Sequence, residues 1–142
     1  MDGRLTLQEL ERLPYLRSAI DEAVEKMFLL ETRKTAIKSG WPITEGTGNR
    51  PKGIDDILAS IQDQEDRIRN SLQPIQNEWY NTNMKISQIQ NLRIRLIVSY
   101  RFDYGLSWQE VADKLGTERD SEYAVKAAFN RWIKRQEALS QE

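Results

Sequence analysis

Neither cysteine nor histidine occurs anywhere in the 142 residues. Zinc, haem and iron–sulfur sites built from those ligands are closed to a single chain, as are thiol nucleophiles and triads with a histidine base. Disulfides are excluded as well, so stability must come from packing or association. Long apolar runs are also missing. No segment approaches the 18 residues that a membrane-crossing helix needs, so no membrane partner is expected. The first residues, MDGRLTLQELER, carry acids where a secretion signal needs an apolar core, and the expectation is a cytoplasmic protein. Charge of one sign is absent too: 21 basic residues meet 22 acidic ones, which removes any reading as a polycation.

What is present is lean. Hydrophobic residues make up 39% and charged residues 30%, a balance suited to long amphipathic helices that bury a stripe. Glycine and proline punctuate the chain. Gly40, Gly46, Gly48, Gly53, Pro42 and Pro51 all fall between Ser39 and Gly53, which reads as a long loop. Its segment GTGNRPKG lacks the spacing of a phosphate-binding loop and follows no strand. It reads as an exposed connection, with Arg50 and Lys52 as the contacts if it serves as an arm.

Before the loop, Thr6 and Glu9 have capping-box spacing and predict a short helix, with a second helix opening at Pro14 in its first turn. Leu13, Leu16, Ile20, Ala23, Met27, Leu30 and Ile37 then alternate three and four apart, a coiled-coil-like seam interrupted by Lys34. After the loop, Ile54, Leu58, Ile61, Ile68, Leu72, Ile75, Trp79, Ile86 and Ile89 continue the rhythm, with Glu65 and Thr82 as exceptions. Pro74 should kink or divide this helix. A polar residue such as Glu65 at a seam position either fixes register and oligomer state or lies beyond the helix contact. The pattern predicts an antiparallel helical hairpin over residues 1–90. Alone it would be marginal, so dimerisation or docking on the C-terminal region is expected.

Residues 91–142 have a different grammar. Leu92, Leu96, Ile97 and Tyr100 mark a helix face closed by Gly105 as the left-handed cap. Ser107 and Glu110 form a second capping box, opening a short helix closed by Gly116. A polar turn follows, and Ser121 caps a last helix. Val111, Leu115, Val125 and Phe129 are placed to form the core between the two, and Trp108 to fold back on the preceding helix. This is the pattern of a helix-turn-helix domain, and the whole chain reads as all-α.

The last helix carries Lys126, Arg131, Lys134 and Arg135 against Glu122, a net +3 between Ser121 and Arg135 in a chain of net charge −1. A localised basic face on a helix of this kind suits binding to double-stranded DNA. Helix-turn-helix geometry puts its N-terminal residues at base edges, which makes Arg119, Glu122, Tyr123 and Lys126 the base-side candidates. Arg131, Lys134 and Arg135 are the phosphate-side candidates. Basic residues late in a helix also complement its dipole, which is the bland alternative. In the acidic group Asp55, Asp56, Asp63, Glu65 and Asp66, the first two read as helix-start residues, Asp63 and Asp66 as solvated face and Glu65 as the seam residue already noted, so no metal, cofactor or catalytic residue is expected and the chain reads as a non-enzyme.

The segment YRFDYGLSWQEVADKLG, Tyr100 to Gly116, resembles the helix-turn-helix of sigma-factor region 4. It is closer to the region-4-like phage activators of the RinA and ArpU type, in which an aromatic–basic pair precedes a glycine and an SWxEIAxxLG-like segment. The wider layout also resembles uncharacterised proteins of phages and prophages of Gram-positive bacteria. The resemblance implies sequence-specific transcriptional control of phage genes in the host cytoplasm, with contact to RNA polymerase. One departure is visible: eight residues separate Gly116 from Val125, where such proteins have roughly five, which moves the base-reading positions by about one helical turn. A homo-oligomer, with a dimer favoured, is expected. The rival readings are a small terminase subunit that binds phage DNA for packaging, and an adaptor that binds protein and no DNA.

Overall fold

The computed structural model describes residues 4–39 and 53–140. Among them the chain is all-α, with five helices: α1 (Leu7–Lys38), α2 (Ile54–Ser87), α3 (Leu92–Val98), α4 (Trp108–Leu115) and α5 (Glu122–Ser140). The expected Gly-rich loop, with Trp41, Arg50 and Lys52, lies from residue 40 to 52 outside the described residues.

One expectation is corrected and another narrowed. α1 is one helix and does not restart at Pro14. The capping box forms at its start, where the Thr6 N–H donates to Glu9 Oε1 at 3.0 Å and the Glu9 N–H to Thr6 Oγ1 at 3.1 Å. The helix therefore begins a full two turns before the proline. Pro14 is exposed, and the roughly 3 kcal/mol it costs is outweighed by the burial of Leu10, Leu13 and Leu16, at about 1.5–3 kcal/mol each. α2 likewise runs undivided through Pro74, whose ring is exposed while Leu72 and Ile75 beside it are half-buried on the seam.

The packing divides the chain into two compact units. The first holds α1 up to Ser18, α2 from Asn77, and everything beyond. α3 packs on α5, and α5 on α4, around Ile97, Val98, Val111, Val125 and Phe129. Leu5, Leu10 and Leu13 from the start of the chain are fully buried within the same unit. The chain's beginning is tied there by named bonds. Arg4 Nη1 donates to the Leu139 carbonyl at 2.6 Å, and Arg17 Nε to the Asp103 carbonyl at 3.0 Å. Arg12 pairs with Glu78, one bond measuring 2.8 Å, and Lys85 with Glu9 at 2.7 Å, which sets the two helices antiparallel.

The second unit runs from Ala19 along α1 and along α2 to Gln76. Its two helices are again antiparallel, with Lys34 Nζ 2.9 Å from Glu65 Oε1. Ile61 and Glu65 are fully buried; Ile20, Ala23, Met27, Leu30, Ile37, Ile54, Leu58, Ile68, Leu72 and Ile75 are half-buried. Two helices can cover each other's seam only from one side, which explains the half-burial. No helix among the described residues is long and apolar enough to cross a membrane.

Candidate nucleic-acid interface

α3 ends by widening. After Val98 the backbone passes through a π-helical turn, Ser99–Asp103, in which the Tyr104 N–H reaches back to the Ser99 carbonyl at 3.0 Å. Gly105, at φ +73°, then reverses the chain, and the Leu106 N–H closes on the Tyr100 carbonyl at 3.0 Å. This wide turn aims Phe102 into the core, where it meets Trp108 edge-on at 6.5 Å and Phe129 at 5.2 Å. Trp108 also packs on Phe129 at 5.5 Å, and the Arg101 guanidinium lies 4.9 Å above its ring. One aromatic cluster therefore joins the end of α3, the start of α4 and the middle of α5.

α4 opens on a complete capping box. The Glu110 N–H donates to Ser107 Oγ at 3.2 Å, and the Ser107 N–H to Glu110 Oε1 at 2.9 Å, which holds the Glu110 carboxyl below the usual range. It closes at Gly116, whose φ of +70° a residue with a side chain adopts only at a cost. Val111 and Ala112 are buried against α5.

Between α4 and α5 lie the six residues 116–121, and Asp120 organises them. Its carboxylate is buried; Oδ1 accepts from Arg93 Nε of α3 at 2.7 Å and Oδ2 from the Thr117 hydroxyl. Its own N–H reaches the Thr117 carbonyl at 3.1 Å. The Thr117 hydroxyl, and after it the Arg93 guanidinium, holds the Asp120 carboxyl below the usual range against the opposing effect of burial. Ser121 then caps α5 by accepting from the Ala124 N–H at 3.1 Å. The long turn is thus fixed at both ends and in its middle.

α5 turns Val125, Ala128, Phe129, Trp132 and Ile133 inward. Glu122, Tyr123, Lys126, Arg131, Lys134 and Arg135 are all exposed, Tyr123 at 83% of its surface, and Arg119 is exposed in the turn. At about 100° per residue these side chains form three rows. Tyr123 and Lys134 share the middle row, Glu122 and Lys126 lie on one margin, and Arg131 and Arg135 on the other. Lys126 and Arg135 are about 180° apart. The grouping of Lys134 with the two arginines suggested by sequence is therefore split by the phase of the helix.

None of Lys126, Arg131, Lys134 and Arg135 joins an ion pair among the described residues, whereas Arg12, Arg17, Lys34, Lys85 and Arg93 all do. Other cations without an ion pair among the described residues, such as Arg33, Lys38 and Lys114, lie elsewhere, but α5 carries four of them along its exposed side. Asn130, exposed in the middle row between Tyr123 and Lys134, was missed by sequence reasoning. The signal was there: it stands seven residues after Tyr123 and four before Lys134, at an exposed mid-helix position that asparagine does not favour intrinsically. Among the described residues no three carboxylates converge as a metal site would require. The chain matches no protein-family model, no curated protein and no solved structure.

Proposed function

We propose that this chain is a sequence-specific DNA-binding regulator of phage or prophage transcription, with α4 and α5 acting as a region-4-like helix-turn-helix and α5 entering the major groove. The observation that carries the reading is the exposed face of α5, a helix seated by an aromatic core and bearing four cations without ion-pair partners. Marginal rows on opposite sides of a groove-bound helix would meet the phosphates of both strands, Lys126 on one side and Arg131 with Arg135 on the other. The middle row, Tyr123, Asn130 and Lys134, would face base edges, where Asn pairs with adenine and Lys with guanine. Arg119 would meet the backbone beside the entering helix. The reading assigns no catalytic residue and no cofactor. Contact with RNA polymerase belongs to it by resemblance alone.

The test is selection from fragments of the cognate genome. The proposal expects one promoter-proximal fragment retained about 10³-fold or more over bulk sequence. Asn130→Ala should relax preference at one base position, costing about 1–3 kcal/mol there, while Arg131→Ala should weaken all sequences alike. Retention without fragment preference would leave a non-specific binder. No retention would favour the adaptor.

A further inference from the structure

The α1 half of the second unit carries an apolar patch that the described residues leave uncovered. Phe28 is 68% exposed and Leu29 59%, with Val24 exposed one turn earlier. α2 offers less: Ile57 is 40% exposed there, and Asp55, Asp56, Gln62, Asp63, Gln64, Asp66 and Arg67 around its seam are exposed polar residues. Beside Phe28 runs a shallow groove of about 370 Å³ lined by Phe28, Glu31, Thr32, Thr35 and Ala36.

Charge is sorted along the same helix. Asp21, Glu22 and Glu25 lie before Phe28, and Arg33, Lys34 and Lys38 after Leu29, with Lys26 and Glu31 running against the trend. Some of these are satisfied at home: Glu22 pairs with Lys26, and Lys34 with Glu31 and Glu65. Asp21, Glu25 and Arg33 join no ion pair among the described residues and are exposed. A helix acidic before an apolar patch and basic after it is complementary to itself when turned end for end.

We infer that α1 pairs antiparallel with α1 of a second copy of this chain, about a two-fold axis level with Leu29. That axis sets Leu29 against its own equivalent and Glu25 level with the second copy's Arg33, twice. It sets Phe28 level with position 30 of the other helix. Long helical side chains cover the turn that precedes their own Cα, so each Phe28 ring reaches the level of Glu31 to Arg33 opposite, where the groove lies. Parallel pairing would set Glu25 on Glu25 and Arg33 on Arg33, and is rejected by like charge. Self-complementarity of a single patch is what an isologous dimer requires, and it selects a second copy over an unrelated protein. The inference is independent of what α5 binds.

The test is solution mass of the full chain over a concentration series, by sedimentation equilibrium. Wild type should reach a mass of two chains. Phe28→Ser with Leu29→Ser should stay at one, with unchanged helical circular dichroism because both residues are exposed. Glu25→Arg or Arg33→Glu alone should weaken association on the order of ten- to a hundred-fold. An equimolar mixture of those two single variants should associate again, since Arg now faces Glu in both pairs. A single-chain mass for wild type overturns the inference. So does a dimer indifferent to the Phe28 and Leu29 changes, or single variants that fail to associate on mixing.

Discussion

Lys34, which interrupts the apolar seam of α1, and Glu65, one of the two residues that interrupt that of α2, are each other's partners, with Nζ and Oε1 2.9 Å apart. Glu65 is fully buried, and its second oxygen, Oε2, has no hydrogen-bond partner. A charged pair placed there opposes any slip of one helix along the other, because a slipped register would strand a buried carboxylate.

Breaking that pair from one side should therefore hurt more than removing it entirely. Lys34→Met should lower the melting temperature clearly, while Lys34→Met with Glu65→Leu should recover most of the loss or exceed wild type. The bond to Glu65, then that to Glu31, raises the lysine's pKa above its ordinary value. Its stabilising contribution is thus full below that ordinary value, and wanes only as strongly alkaline pH passes the raised one. Thermal melts of the three proteins near neutral pH check the order; a double variant no better than the single would contradict it.

Asp120 carries the opposite pH signature. A carboxyl with a depressed folded pKa stabilises fully above its unfolded value, about 3.9, and loses that stabilisation as pH falls through the folded value. Asp120→Asn should cost about 1–3 kcal/mol at neutral pH, through lost charge-assisted bonds to Arg93 and Thr117. Denaturant midpoints at neutral pH and well below pH 3 should show the gap between the two proteins closing with acid.

Pro74 predicts a gain. It sits exposed inside a continuous α2 and leaves one helical bond unmade, so Pro74→Ala should stabilise the chain by up to about 3 kcal/mol. Urea unfolding checks this, and a loss of stability would mean that the proline's local geometry is needed by its surroundings.

The local rules were legible and the long-range ones were not. Both capping boxes, at Thr6 and Ser107, follow from side chains three residues apart, and Gly105 and Gly116 take positive φ where helix ends were read. The seams were legible because a repeat of three and four fixes a helix face. The meaning of Glu65 was not, since its partner lies 31 residues away on another helix and depends on register. Asp120 looked like any polar turn residue until Arg93, 27 residues earlier, was beside it. Pro14 was misread because a helix-start signal was weighed by residue type, while the earlier Thr6 box and three buried leucines outweighed it. On α5 the cations were legible as a set, but their division into rows, and Asn130 among them, needed the phase of the helix.

The most direct measurement is DNA affinity of the full chain as a function of salt, from about 50 to 200 mM. Log K should fall linearly with log salt concentration, with a slope of several units. Lys126→Ala and Arg131→Ala should each reduce that slope by about one. No binding even at about 50 mM, or a slope that neither substitution changes, would contradict the assignment of α5 to the major groove.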